Sequence, residues 1–486
     1  MSFFVILPSA GILFTYTVLR ARLLSFVHDE SLSYFVINHV GHWWSTANNH
    51  LLNSVLMLVC QKLFGDSELS LRLPNLFAHL LFMIFSILIL KKLKDDILTT
   101  SGFLLLNTNP FMLDFFGLAR GYGLSLSFMM VSIYYFIKMQ ETQHQYNKML
   151  FYTFYFANLA ILANFMMLNY YLSLIVVIFL SELINNKRTS LNKWKLFFKS
   201  NSHIIIFNLI FILFLMPILF FLKFKDAFFV GGKRDFWHDT VISLIKASLY
   251  SVVDQQNNIS LIFFAILLLV ILNSILALYL SLKYRKLTLS TQFLLILIIC
   301  IISPIVQFYL FDTLYPVERT GLFYIPLFFI MVIFGLKDFS AEFIKFSRTF
   351  CIPFLLLVCV IFCGHLIANI NFTSTYVWSY DACTKKMMED LRKEYNHQYD
   401  LVKGRKIYLG VHWLFEPTVN YYRMSRKFDA LEVVTRAGFL NKDNDYYYFF
   451  EGEKNNLTEN NINIIAIKNY FPANTILAKH IKNGPS

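Results

Sequence analysis

Val27-His28-Asp29-Glu30-Ser31-Leu32-Ser33-Tyr34 follows directly on an apolar run over residues 3–20. A run of that length matches the hydrocarbon of a bilayer, so the acidic pair falls at a membrane–water boundary. Two adjacent carboxylates there are costly unless they are used or paired. Neighbouring residues on a helix point apart, so one of Asp29 and Glu30 can face a pocket while the other pairs or meets water. Two readings are open. In one, the pair is catalytic, as a general base or a clamp on sugar hydroxyls. In the other it starts a helix, with Asp29 as N-cap and Glu30 in the first turn, where carboxylates are favoured.

The 486-residue chain is 57% hydrophobic, 18% aromatic and 15% charged, with 53 phenylalanines. Soluble domains carry about 25% charged residues, so this is the composition of a polytopic membrane protein. The net charge of +13 does not indicate nucleic acid. Lys and Arg gather in short loops between apolar runs, which is the positive-inside pattern. At least four of the six cysteines (Cys60, Cys300, Cys351, Cys359, Cys363 and Cys383) lie in apolar runs, and they read as small buried hydrophobes. The first run has no basic n-region and no small-residue cleavage site, so it reads as a retained span.

Apolar runs near 3–20, 73–90, 97–113, 121–138, 149–166, 168–184, 203–222, 259–281, 291–311, 321–336 and 349–370 predict a mostly α, polytopic helical bundle of about eleven spans. The basic loops at Lys91, Lys92 and Lys94, at Lys187 to Lys199, at Lys283 to Lys286 and at Lys337 to Arg348 fall on one side if the N-terminus is cytoplasmic. That places Asp29, the Asp114 loop, the 223–258 loop, the 312–320 loop and the C-terminal tail outside. Arg20 and Arg22 stand on the wrong side of the first span, unless they have an outer-face role such as phosphate binding.

The outer segment 23–72 holds two amphipathic stretches, Glu30 to Val40 and, after Trp43-Trp44, one from Asn48 to Leu63. Both read as helices lying in the interface. In the next outer loop, Asp114 and Arg120 can pair with each other or grip a sugar and a phosphate, for which Arg offers a planar fork. Gly121 and Gly123 flank Tyr122 and let backbone approach a bulky head group. Lys233 and Arg234 oppose the positive-inside trend and are candidates for phosphate or anionic-lipid contacts, with a solvated loop as the alternative. Glu318 can neutralise its neighbour Arg319.

After residue 371 the long apolar runs stop. Asp381 to Gln398 and Pro417 to Lys427 read as helices. Lys406 to Val411, Asp445 to Glu451 and Ile462 to Ile467 read as strands. The division is a membrane domain, 1–370, and a small extracytoplasmic α/β domain, 371–486.

Together these motifs resemble the GT-C superfamily of membrane glycosyltransferases, and more closely its bacterial protein-mannosyltransferase-like and aminoarabinose-transferase-like members. The resemblance is carried by Asp29-Glu30 after the first span, by Asn49-His50-Leu51-Leu52-Asn53-Ser54, and by Phe64-Gly65-Asp66-Ser67-Glu68 with Leu71-Arg72-Leu73-Pro74-Asn75. Asn109-Pro110 through Asp114 to Ala119-Arg120-Gly121-Tyr122-Gly123, and Tyr315-Pro316 with Arg319, add to it. It implies a donor sugar on a polyprenyl phosphate and inverting transfer on the outer face of the cell membrane to a glycan, lipid or protein acceptor. Asp29 matches the family's candidate base, with Glu30 beside it. Asp114 matches the second acidic position, and Arg120 and Arg319 fall where relatives bind the lipid phosphate. Tyr122, His50, Asn53, Lys233 and Arg234 complete the candidate substrate-binding set. Some relatives hold a divalent metal, for which His28, His39, His42 and His50 are the side chains on offer; their spacing specifies no site, and no cofactor is assigned. Two other classes compete: a transporter or flippase of lipid-linked glycan, which calls for mid-span charges and broken helices, and a non-catalytic membrane scaffold.

Overall fold

The computed structural model describes residues 2–40, 43, 48–185, 191–225, 231–250, 256–397 and 405–481. His42, Trp44, Lys187 and Arg188 lie outside the described residues. The membrane part runs α1 (Ser2–Leu23), α2 (His28–Ile37), α3 (Leu51–Phe64), α4 (Glu68–Leu90), α5 (Asp96–Asn107), α6 (Pro110–Asp114), α7 (Gly121–Glu141), α8 (Tyr146–Ala163), α9 (Leu168–Ile184), α10 (Leu191–Ser200), α11 (Ser202–Phe224), α12 (Ser243–Leu249), α13 (Gln256–Tyr284), α14 (Leu289–Phe311), α15 (Tyr324–Glu342), α16 (Ile344–Phe346) and α17 (Ile352–Ala368).

Each of the eleven apolar runs lies on a helix or helix pair. Among the described residues, eight helical stretches are long and apolar enough to cross a membrane by themselves. The runs of α5, α7 and α8 are not among them. The run 97–113 is broken where Asn109 caps α6 by accepting the Met112 N–H at 3.0 Å, with Pro110 in the first turn. α7 and α8 carry hydroxyl groups that lower their hydropathy and are satisfied inside the bundle. Ser127 Oγ donates to the Ala78 carbonyl at 2.6 Å, and Ser132 Oγ to the Thr153 carbonyl at 2.8 Å. In an apolar bundle such bonds hold helix to helix. The core between these helices is built of fully buried side chains such as Phe82, Phe103, Met129, Phe136, Ile161 and Ile330. The chain is a multi-pass membrane protein.

The two stretches expected to be interfacial helices are α2 and α3. Val27, not Asp29, takes the N-cap position of α2, which puts Asp29 and Glu30 together in the first turn.

Beyond α17 come α18 (Thr384–His397), β1 (Leu409–Val411), α19 (Glu416–Ser425), β2 (Tyr446–Phe450), α20 (Lys454–Glu459), β3 (Ile464–Tyr470) and β4 (Thr475–His480). The strands form one sheet in the order β1-β2-β4-β3; β1 and β2 are parallel and the other pairs antiparallel. Leu409 stands opposite Tyr446, and Tyr446 opposite Lys479. Side chains alternate along a strand. Tyr447 and Phe449 pack on Leu457 and Ile462, while Tyr446 and Tyr448 face the other layer. That second layer is shared with the first loop: Met387, Phe415, Val419 and Tyr448 form one core with Phe26, Tyr34, Met57, Leu71 and Ala119. The sheet end of the chain is therefore packed directly onto the segment that carries Asp29.

Candidate active site

The segment between α1 and α2 is fixed by one buried ion pair. Arg72, in the first half of α4, donates from Nε to Glu30 Oε1 at 2.8 Å and from Nη2 to Oε2 at 2.6 Å. Neither side chain reaches solvent. The remaining guanidinium donors go to the carbonyls of Ala21, Leu24 and Ser25 at 2.8–3.0 Å, and Phe26 lies against the guanidinium at 5.3 Å. Glu30 also accepts the N–H of Val27 at 3.0 Å and that of Ala119. Its oxygens are fully engaged, so Glu30 is held as a structural anchor.

Asp29 faces the other way. Its Oδ2 lies 3.4 Å from Arg120 Nη2 and 3.6 Å from Arg319 Nη2, and accepts from Asn48 Nδ2 at 3.0 Å. The three charges come from α2, from the start of α7 and from the turn ahead of α15. Burial pushes the Asp29 carboxyl up, but the guanidiniums of Arg120 and Arg319 outweigh it and hold the pKa at about 2. Arg120 is nearly sealed: it donates to the Asp29 carbonyl at 3.0 Å, to Ser33 Oγ at 3.1 Å and to the Asn48 carbonyl at 2.7 Å. Arg319 is more open. It lies over the Trp378 ring at 5.0 Å, and Tyr122 is a neighbour that favours its charged form. Among the described residues the Nε atoms of both arginines are buried without a partner. Unmet donors of this kind call for an acceptor.

The Arg319 turn is braced from outside. Gly232 and Tyr315 exchange backbone hydrogen bonds at 3.0 and 2.9 Å, and Thr240 Oγ1 donates to the Pro316 carbonyl at 2.6 Å. Lys233 and Arg234, next to this bridge, point out into solvent; among the described residues no ion pair joins them to Asp29, Arg120 or Arg319, and Arg234 pairs at 3.9 Å with Asp235.

His50 closes another wall. Its Nδ1 meets the Ala163 carbonyl at 2.8 Å, and its ring stands edge-on to Tyr122 at 4.6 Å. Burial, then the positive field of Arg120, lowers its pKa well below 6.5, so the ring is neutral. A neutral ring that donates from Nδ1 leaves Nε2 as an acceptor, and that atom is buried with no partner among the described residues. This packing requires glycine at position 121: a Cβ there would run into the Ala163 carbonyl oxygen and stand 2.7 Å from His50 Cβ. Asn53 is in a closed network instead, donating to the Ala119 carbonyl at 2.9 Å and accepting from Asn75 at 2.8 Å.

Asp114 does not pair with Arg120. It forms a buried ion pair with Arg20, and accepts from Tyr250 Oη at 3.0 Å and from the Tyr376 N–H at 2.9 Å. Arg20 also donates to Tyr16 Oη at 3.1 Å and to the Ser374 carbonyl at 3.1 Å. There are thus two ion clusters, Asp29–Arg120–Arg319 and Arg20–Asp114. The stretch of chain 374–378 touches both, with Tyr376 on Asp114 and Trp378 beneath Arg319. Sequence reasoning does not single out Trp378, Asn48 or Arg72 as site residues; no pattern local to any of them marks its partner.

Among the described residues no three His, Cys, Asp or Glu side chains gather as a metal site. A lone carboxylate hemmed by two guanidiniums does not fit a divalent cation, and one nitrogen of His50 is already committed to a carbonyl.

No family model and no curated protein matches the chain. Solved structures do. The aminoarabinose transferase ArnT from Cupriavidus metallidurans bound to undecaprenyl phosphate is similar with a TM-score of 0.55 and 10% identity, over 99% of this chain and 98% of that one. The same protein in the apo state gives 0.54 and 10% identity, over 97% and 96%. The Archaeoglobus fulgidus oligosaccharyltransferase, in complex with Zn and sulfate, gives 0.47 and 12% identity, over 97% of this chain and 72% of that one. Over nearly its whole length the chain shares the fold of the two ArnT structures.

Proposed function

We propose that this protein is an inverting glycosyltransferase that moves a sugar from a polyprenyl-phosphate donor to a hydroxyl of a glycan, lipid or protein acceptor. The observation that carries the reading is Asp29 held between Arg120 and Arg319, drawn together from three distant parts of the chain. The likeness to an ArnT structure bound to undecaprenyl phosphate supports the donor class. The N-terminus is cytoplasmic and the segment 371–486 extracytoplasmic in this reading, as the basic loops require.

In the reaction the acceptor oxygen attacks the anomeric carbon from the face opposite the phosphate. The bond from that carbon to the phosphate oxygen breaks, and polyprenyl phosphate leaves with the electron pair. Arg319, with Arg120 behind it, takes up the growing charge on that phosphate. Both guanidiniums have an unmet Nε donor for it. As they turn to the phosphate, their hold on Asp29 weakens and its basicity rises. Asp29 then accepts the proton of the acceptor hydroxyl. His50 Nε2 accepts a hydrogen bond from a sugar hydroxyl and orients the donor. Tyr122 holds Arg319, while Glu30, Asn53 and Asp114 keep the frame. Lys233 and Arg234 meet anionic lipid head groups.

Lipid binding tests the donor class. Native mass spectrometry of the purified protein with undecaprenyl phosphate is expected to give a one-to-one adduct that Arg319→Ala weakens about 10-fold or more. Equal retention of an uncharged polyprenol, or no effect of the substitution, would remove the phosphate site from the reading.

A further inference from the structure

The turn of α2 that carries Asp29 receives no hydrogen bond from the side chain of its own N-cap residue. Val27 occupies the N-cap position with an aliphatic side chain. A helix start leaves its first N–H groups without intrahelical partners. Here the Val27 N–H goes back to Glu30 Oε2 at 3.0 Å, and the His28 N–H goes to Asp381 Oδ2 at 2.7 Å. Asp381 is 353 positions away in sequence, in the turn Ser379–Cys383 that leads into α18, and is fully buried. Its other oxygen accepts from Thr384 Oγ1 at 3.2 Å.

Neighbouring bonds run the same way. The Phe26 N–H donates to Tyr422 Oη at 2.7 Å, Ser25 Oγ donates to the Ala382 carbonyl at 2.9 Å, and His28 Nδ1 meets the Leu414 carbonyl at 2.8 Å. Asp29 thus lies between two anchored residues: His28, held by Asp381, and Glu30, held by Arg72. The chemistry set out above makes no use of Asp381. A buried carboxyl that met no need would be costly.

We propose that Asp381 is a positioning residue: its carboxyl caps the first turn of α2 and so aims Asp29 between Arg120 and Arg319, making the segment after α17 a working part of the active site. This rests on the reading of Asp29 as the base. A fraying first turn moves the Asp29 carboxylate relative to the reacting atoms, and misplacement by about 1 Å costs up to about 100-fold in rate.

Three full-length proteins test it: wild type, Asp381→Ala and Asp381→Asn. With a polyprenyl-phosphate sugar, Asp381→Ala is expected to lower kcat roughly 10- to 100-fold with little change in donor KM. Asp381→Asn keeps an oxygen that accepts the same N–H and is expected to stay within about 3-fold of wild type. A well-folded Asp381→Ala with full kcat overturns the proposal, as does equal loss in both variants. Should Asp381→Ala fail to fold, Thr384→Val, which frees the second carboxyl oxygen, is expected to lower kcat about 3- to 10-fold, and an unchanged kcat overturns the proposal. Amide exchange separates this idea from the catalytic reading. In Asp381→Ala the amides of residues 28–31 are expected to exchange at least about 10-fold faster than in wild type, whether or not any sugar is transferred. Equal exchange would mean that Asp381 is not the cap.

Discussion

Glu30 and Arg72 meet through two parallel hydrogen bonds, at 2.8 and 2.6 Å, with both side chains shut off from solvent. Removing one partner of such a pair leaves the other charged and buried, at a cost of about 3–5 kcal/mol. Glu30→Ala and Arg72→Ala should each destabilise the protein by that order. Denaturant or thermal unfolding in detergent reads it directly. A loss below about 1 kcal/mol would place the pair in contact with water and not in the frame.

Arg319 is the more accessible of the two guanidiniums facing Asp29, and Trp378 is its support. Arg319→Ala is expected to raise the donor KM about 10- to 100-fold. Arg319→Lys should recover little of this, since an ammonium has neither the fork nor the stacking plane. Trp378→Ala, which takes away the ring 5.0 Å beneath the guanidinium, should raise the same KM by about 3- to 10-fold. Steady-state kinetics at varied donor concentration decides; the charge that grows on the leaving phosphate adds a fall in kcat for Arg319→Ala, and wild-type kcat and KM in both variants would assign both residues a different role.

His50 should act as an uncharged acceptor. His50→Ala is expected to lower kcat/KM about 10-fold. Its pKa is held well below 6.5 by burial and by Arg120, so the wild-type ring should show no titration between pH 5 and 8. An imidazole NMR signal that titrates near pH 6.5 would contradict the assignment.

The two buried acids of the site region have opposite pH signatures. Asp29 is held at about 2, below the ordinary carboxyl value of about 3.9. Its contribution to stability is complete above the unfolded value and is lost only as pH falls toward 2. It stays ionised throughout the working range, so kcat/KM, which reports the free protein, should have no acid limb from it above pH 5. If the lipid phosphate draws the arginines away, an Asp29-dependent limb should appear in kcat alone. Asp381 is pushed up to about 8 by burial. Between the unfolded value and about 8 the native state holds a proton that the unfolded chain has lost, so stability falls as pH rises through that window. Wild-type Tm should fall from pH 5 to 9 and the Asp381→Asn slope should be shallower; equal slopes would contradict a neutral buried Asp381.

The helices are legible in the sequence because hydrophobic length is a local property, and every apolar run lies on a helix or a helix pair. The two amphipathic stretches of the first loop, as helices, and three of the four strands are legible for the same reason. β4 is not: Thr475-Ile476-Leu477-Ala478 is buried on both faces, so it lacks the alternation that marks a strand. Partner choice is not legible either. Arg120 stands six residues after Asp114, and proximity suggests that they can pair. The bundle instead brings Arg20 to Asp114 across 94 positions and sends Arg120 to Asp29 across 91. In the proposed orientation, with the N-terminus cytoplasmic, this buried pairing with Asp114 also gives Arg20 a reason to stand against the charge rule. Ion pairs between distant segments are decided by packing and leave no spacing to read.

The most direct measurement is transfer from a polyprenyl-phosphate sugar by purified Asp29→Asn protein, alongside Asp29→Glu and wild type. The Asp29→Asn amide keeps the size and one hydrogen-bonding oxygen of the carboxylate but cannot take the acceptor's proton. Its kcat should therefore fall about 100-fold or more while undecaprenyl phosphate binding is retained. Transfer by Asp29→Asn at the wild-type rate would mean that the carboxylate between Arg120 and Arg319 is not the base.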